Sequence, residues 1–232
     1  GQNDPAYSFS VEGAVEGETI FGPLARSEGE NVGRYMLYAS EDMIANNSNY
    51  NLIFDDKSYL QINPKDINVE IKSHQKVFGE RDPKIVYSYN ASQFAFEDTF
   101  DQLRTGNATR SAGEEVGRYQ YQRGDLSLGD NYNVVFTLSL LTIAKRDITV
   151  YVLSCEKTYG DKDPSFQFIT TNTVAGVDAS VSLSRERGED VGVYRITYRS
   201  LDDPHYNIEF FAGSFSIIPR DIAVKVEDAF KF

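Results

Sequence analysis

Few side chains in this sequence could carry out covalent or metal chemistry. Its only cysteine is Cys155, and its histidines are His74 and His205. Nucleophilic catalysis needs a base held against the nucleophile, and Cys155 with His205 is the thiol–base pair to weigh. Cys155 falls in a strand-like run, where a thiol reads as a small apolar side chain. The two histidines lie too far apart to form a transition-metal motif. Carboxylates are abundant, and Asp55-Asp56, Asp161 with Asp163, Asp202-Asp203 and Glu227-Asp228 cluster enough to be weighed as oxygen ligands for calcium. None follows an EF-hand loop, and no pair stands out as the acid and base of a glycoside hydrolase. The sequence therefore assigns no catalytic, cofactor-binding or metal-ligating residue and predicts a protein that is not an enzyme, with no cofactor.

The whole chain bounds the answer further. It has 232 residues, 23 Lys+Arg against 35 Asp+Glu, and a net charge of −12. Nucleic-acid binding needs clustered positive charge, so this acidic balance argues against it. No apolar run approaches the roughly 18 residues of a membrane span, so no membrane insertion is expected. One cysteine excludes an internal disulfide framework. Phe and Tyr number 15 each and sit among β-branched residues, which favours strands. The sequons at Asn46, Asn90 and Asn107 matter only in a eukaryotic secretory pathway.

Self-similarity organises everything else. An Asp-Pro turn recurs at Asp4-Pro5, Asp82-Pro83 and Asp163-Pro164. A Gly-Glu-x-Val-Gly-x-Tyr corner runs from Gly29 to Tyr35, Gly113 to Tyr119 and Gly188 to Tyr194. Tyr-Asn before alternating apolar residues recurs at Tyr50-Asn51, Tyr132-Asn133 and Tyr206-Asn207. A closing marker follows at Lys65-Asp66-Ile67, Arg146-Asp147-Ile148 and Arg220-Asp221-Ile222, with its aspartates 81 and 74 residues apart. The chain is a tandem array. The expected repeats are 1–65, lacking its opening strand, then 66–146 with a lengthened connection, and 147–220. Residues 221–232 read as the opening strand of a further repeat, so the chain reads as part of a longer repetitive protein.

The third repeat shows the elements most clearly. Strands are expected from Asp147 to Leu153, Ser165 to Thr170, Val181 to Leu183 and Val193 to Tyr198. Tyr206–Phe211 and Ser214–Ile218 read as a final hairpin around Ala212-Gly213. In the second repeat Phe96, Phe100 and Leu103 fall at i, i+4 and i+7, which predicts a helix over 93–103 laid on its own sheet. The other repeats offer only a turn, at Ala14–Gly17 and Ala175–Asp178. The fold class is α+β and mostly β: small β-rich domains in tandem, each with a short helix over a sheet in a β-grasp-like arrangement. The alternative is a string of immunoglobulin-like β-sandwiches, which the short period disfavours. The recurrent residues have structural explanations. Asp-Pro directs the chain into a strand; Gly33, Gly117 and Gly192 are expected where a β-carbon would clash; Tyr35, Tyr119 and Tyr194 bury rings and bond their hydroxyls to backbone. Lys65, Arg146 and Arg220 read as local charge balance for the aspartates that follow them.

Taken in order, Lys157-Thr158-Tyr159-Gly160-Asp161-Lys162-Asp163-Pro164, then Gly188 to Tyr194, then Tyr206-Asn207-Ile208 and Phe215-Ser216-Ile217, the markers resemble the MBG-type repeat in its YGX form. Phe78 replaces the tyrosine in the second repeat. The resemblance implies a bacterial protein that is extracellular, on the cell surface or secreted, and it brings no catalytic residues. It implies a stalk or spacer segment of a large surface protein, or alternatively an adhesive module binding glycan or protein ligands. The expected partners are neighbouring repeats of the same chain, with surface glycan or protein as possible ligands. Junctions as short as Pro219-Arg220 leave few free dihedrals, so an extended array is expected.

Overall fold

In the stretch Lys65–Ile71, Ile67, Val69 and Ile71 are buried while the residues between them face solvent. This period-two alternation recurs through the chain and makes it a succession of short strands. The computed structural model describes residues 1–54 and 57–231; Asp55-Asp56 and the terminal Phe232 lie outside the described residues. In chain order the elements are β1 (Leu24–Arg26), β2 (Gly33–Ala39), α1 (Glu41–Asn46), β3 (Tyr59–Ile62), β4 (Lys65–Ile71), β5 (His74–Val77) and β6 (Tyr87–Tyr89). A 3-10 turn at Ala91–Gln93 precedes α2 (Phe100–Leu103), β7 (Thr109–Arg110), β8 (Gly117–Gln122), β9 (Tyr132–Thr137) and β10 (Leu140–Ala144). The third repeat carries β11 (Arg146–Val152), β12 (Cys155–Thr158), β13 (Phe168–Thr171), β14 (Ser182–Arg185), β15 (Gly192–Ser200), β16 (Tyr206–Phe211) and β17 (Ser214–Ile218). The protein is mostly β, with several small sheets in tandem.

Each full repeat uses the same pairings. The central strand β4 lies antiparallel to β6 and parallel to β9; β11 lies likewise between β13 and β16. Alongside, β5 pairs parallel with β10, and β12 with β17. β7 and β8 are antiparallel, as are β14 and β15. Parallel pairs flanked by antiparallel ones do not make the antiparallel sandwich of immunoglobulin domains.

Three expectations need correction. The opening strand is two strands, because β11 ends at Val152 and β12 begins at Cys155 in a different sheet. Tyr206–Phe211 and Ser214–Ile218 are not a hairpin either. They cross together from the β11 sheet to the β12 sheet, each pairing parallel with the strand beside it. Gly213 sits at this crossing, where a β-carbon would lie 2.7 Å from the Val152 carbonyl oxygen. Ser154 Oγ accepts from Ser214 N–H at 3.1 Å there, and Ser73 Oγ from Leu140 N–H at 3.3 Å in the second repeat. Thirdly, no helix spans 93–103. Phe96 has φ of +54°, a left-handed conformation that a right-handed helix cannot include. The helix starts only at Phe100, where Thr99 caps it by accepting from Gln102 N–H. The connections of the other two repeats are single turns, Glu18 N–H to Val15 O and Val177 N–H to Val174 O.

The chain divides into two compact units: Gly1–Lys72 with Ile85–Ser111 and Gln120–Ser139, and Ser73–Lys84 with Ala112–Tyr119 and Leu140–Phe232. In the first, Ile67, Val69, Phe100, Leu126, Leu128, Tyr132 and Val134 form a buried cluster. In the second, Ile148, Val150, Ile196, Tyr206, Phe215 and Ile217 are buried. Each unit contains a junction between consecutive repeats, built to one plan. In the first, Asn131 donates to Asn31 Oδ1 at 2.8 Å and accepts from Val32 N–H at 2.8 Å. In the second, His205 occupies the position of Asn131; it stacks on Phe78 with ring centroids 4.4 Å apart and meets Glu115 at 2.5 Å.

Candidate functional site: a charged clasp in each repeat

A cluster of ion pairs lies where the Asp-Pro turn meets the glycine corner. In the third repeat Arg185, on β14, is held by five hydrogen bonds. Its Nε and Nη2 reach Asp163, Nη2 also reaches Glu189, and Nη1 donates to the carbonyls of Glu186 and Gly188 at 2.9 and 2.6 Å. A guanidinium has five N–H donors, so none is left for a ligand. The first repeat reproduces the pattern atom for atom: Arg26 bonds Asp4, Glu30 and the carbonyls of Ser27 and Gly29. Arg110 holds the same position in the second repeat and donates to Ser111 O.

Lysines complete the clasp from the neighbouring strand. Lys157 on β12 reaches Asp163 at 2.7 Å and Glu189 at 2.6 Å. Lys76 on β5 reaches Asp82 at 2.7 Å, the Glu80 carbonyl at 3.0 Å, and Glu114. Both lysine side chains are almost wholly buried, so each must be paired to remain charged. The Arg185 guanidinium, with Lys157 beside it, holds the Asp163 carboxyl at about 2 even though burial works against ionisation. The bonds to Asp163 and Glu189 raise Lys157. Burial pushes Lys76 down, yet its bonds to Asp82 and Glu114 outweigh burial and raise it. Beneath lie aromatic faces, with the Arg185 guanidinium carbon 4.8 Å from the Phe215 ring centroid and 5.5 Å from that of Tyr194.

The corner that receives the arginine depends on a different glycine from the one expected. Gly33, Gly117 and Gly192 have ordinary backbone and only van der Waals neighbours near a hypothetical β-carbon. The constrained residues are Gly29, Gly113 and Gly188, with φ of +136°, +133° and +148°. A β-carbon there would overlap the ring of Tyr35, Tyr119 or Tyr194. The tyrosine hydroxyls bond backbone as expected, donating to the carbonyls of Asn31, Glu115 and Asp190 at 2.7, 2.8 and 2.9 Å, but the residues are half-buried rather than buried. The sequence reading missed the arginine. Its signal was Arg26, Arg110 and Arg185, each three residues before the corner glycine.

The remaining candidates are dispersed. Cys155 sits on β12, and burial, then the Asp163 charge, pushes its thiol upward, away from the reactive thiolate. The His205 ring is engaged by Phe78 and Glu115. Of the weighed carboxylates, Asp161 pairs with Arg220 and Asp163 belongs to the clasp. Burial disfavours the Asp203 charge, but N–H groups of Ser180, His205 and Tyr206 outweigh it and lower its pKa. Glu227 and Asp228 are exposed. Asp66 and Asp147 are not balanced by the basic residues before them; they accept from Asn133 and Asn207 on the parallel neighbour at 2.9 and 2.8 Å. Arg146 and Arg220 instead donate Nε–H to the carbonyls of Phe78 and Tyr159. The first repeat contains a cavity of about 830 Å³ between Ser8–Ala14 and Asn51–Phe54, floored by Ile20, Leu37 and Met43.

Among the described residues, the Asp-Pro aspartates, Arg26, Arg185 and the corner tyrosines thus close on groups of their own repeat. No helix among the described residues is long and apolar enough to cross a membrane. The family model described as MBG domain (YGX type) matches residues 1–59, 67–142 and 148–216. No curated protein matches the chain.

Proposed function

Because the chain belongs to the MBG domain (YGX type) family, we propose that it is a non-catalytic spacer or stalk segment of a large bacterial surface or secreted protein, working outside the cell. The observation that carries this reading is the direction of the strands at the ends of a repeat. The opening strands β11 and β12 lie beside the closing strands β16 and β17, and both pairs are parallel. Tension entering at the start of the repeat and leaving at its end loads these ladders in shear, across many hydrogen bonds at once. Only Lys145 separates β10 from β11, so load passes directly into the next opening strand. The clasp adds charge-assisted bonds at the same strands.

Single-molecule pulling tests this. With Cys155→Ala, force applied through the chain ends should meet higher resistance than force applied through cysteines at Ser182 and Ser200. Those two residues face each other across the antiparallel β14–β15 pair, which peels one bond at a time. Equal forces in the two geometries would defeat the spacer reading. A direct adhesive role toward glycan or protein would draw on Phe96, which is 71% exposed in the lengthened connection. Phe100 is packed in the core with Phe94 against it, so neither of these rings joins Phe96 on an open face as a binding platform.

A further inference from the structure

The sheet that carries β11 ends at β16. Its strand order is β13-β11-β16, and β9 ends the corresponding sheet of the second repeat in the same way. Arg146 N–H donates to His205 O at 2.9 Å, so by the alternation of a parallel ladder Asn207, Glu209 and Phe211 turn their main-chain groups toward β11. The N–H and C=O of Ile208 and Phe210 then point away from β11, and no bond engages them among the described residues. Natural sheets blunt such an edge with Lys, Pro or a bulge. Tyr206–Phe211 has neither Lys nor Pro, its pairing runs without a bulge, and its one charge is Glu209.

The solvent face of this sheet carries rings where the second repeat carries polar residues. Across the three strands Ile169, Tyr151 and Phe211 form one row, which in the second repeat reads Ser88, Glu70 and Thr137. The Tyr151 and Phe211 rings are stacked, with centroids 5.0 Å apart and planes 18° from parallel. That separation matches the spacing of neighbouring strands, about 4.8 Å, so the rings stand face to face across the ladder. The far face of Phe211 therefore looks out over the open edge. Two residues back on the same face, Glu209 is exposed and bonded to no side chain among the described residues. It borders an open groove of about 410 Å³ that also reaches Asp147 and Asn207. The solvent-facing positions of β13, β11 and β16 hold no Lys or Arg.

We propose that the β16 edge captures an extended basic segment of a partner protein, added as a fourth strand beside Ile208–Phe211. The main chain of Ile208 and Phe210 supplies hydrogen bonds for an extended peptide, and the side chains along the edge select its charge. An Arg or Lys beside Phe211 lays its cation on the open ring face. A second one, two residues along the added strand, reaches Glu209 and the groove toward Asp147. Apolar residues between them fall on the side of Ile208 and Phe210, which are half-buried. A second copy of this chain is a poor occupant, because pairing β16 with itself brings together two Glu209 carboxylates and two chains of net charge −12. Capture at this edge adds a binding role to the spacer and does not depend on how the repeat bears load.

Fluorescence anisotropy with a labelled Val-Arg-Val-Arg-Val peptide tests the proposal on the 232-residue chain. Binding should weaken as salt rises, and by roughly 10-fold or more in Glu209→Val with Phe211→Thr, which removes one ion pair and one cation–π contact. These are the residues the second repeat has at the same positions, Val135 and Thr137, so the strand keeps its pattern. A Val-Glu-Val-Glu-Val peptide should not bind, nor should Val-Arg-Pro-Arg-Val, whose central residue has no N–H to donate. Hydrogen exchange should slow at the N–H groups of Ile208 and Phe210 when the Arg peptide is added. Absence of binding, equal binding of the acidic or the Pro peptide, an unchanged double variant, or binding without slowed exchange at Ile208 and Phe210 would each overturn the proposal. Sedimentation showing copies of the chain paired through this edge, with the pairing lost in the double variant, would assign the edge to a second copy and overturn it as well.

Discussion

At Gly188 the backbone holds φ at +148°, and its carbonyl accepts from Arg185 while the Tyr194 ring packs against its α-carbon. Any side chain there strains the backbone and displaces the ring. Gly188→Ala should destabilise the third repeat by about 1–3 kcal/mol, read as a lowered urea midpoint, whereas Gly192→Ala should be close to neutral. Asp163 gives the clasp a pH signature. Its folded pKa of about 2 lies below the ordinary 3.8, so folding favours the ionised form. That contribution is complete above the ordinary value and is lost as pH falls through about 2. The stability gap between the native chain and Asp163→Asn should therefore narrow as pH drops from about 4 to about 2, measured by urea unfolding at each pH. At this scale the sequence shows which positions recur, and the Tyr194 hydroxyl could be assigned to backbone because it recurs in a tight corner where carbonyls lie within reach. Gly192 and Gly188 could not be ranked, because which glycine carries the positive φ depends on where the Tyr194 ring lands.

Between β6 and β7 the chain places three phenylalanines in three environments. Phe94 packs on the core, Phe96 stands in solvent on a left-handed residue, and Phe100 is 1% exposed beside Tyr87 and Tyr89. Phe100→Ala should cost about 3–5 kcal/mol, with Phe96→Ala within about 0.5 kcal/mol of native; thermal melts of the two variants would separate them. Helical spacing located the buried Phe100 but overextended the helix, since periodicity does not register a local reversal of φ. Strand positions were legible wherever alternation is strong, as at Ile148, Val150 and Val152. Sheet membership was not: Tyr206–Phe211 and Ser214–Ile218 look like a hairpin in one dimension, and only their parallel partners, β11 and β12, show that they cross between sheets. The helix α1, capped by Ser40 with Glu41 and Asp42 in its first turn, was missed because it occurs in one repeat and the repeats were read through their common markers.

Repeats rely on their neighbours. Phe78 belongs by sequence to the second repeat, yet its ring stacks on His205 and meets Tyr206 edge-on in the third. Phe78→Ala should lower the stability of the third repeat by about 3 kcal/mol. Hydrogen exchange should show the loss in β16, in a different repeat from the substitution; protection unchanged there would mean that the repeats fold independently. The presence of three tandem segments was legible, because the four markers recur in sequence. The junction was not, because Asn131 and His205 fill one structural position with different residues. The parallel pairing also governs when a repeat can fold. Asp147 and its partner Asn207 are 60 residues apart, so the first strand of a repeat to leave a ribosome or an export channel waits for almost the last. Until then neither sheet can close, and loop-closure entropy opposes early pairing. Closure then coincides with delivery of the next opening strand, so a growing array completes one repeat at a time from its leading end, with a single unfinished repeat at the point of exit.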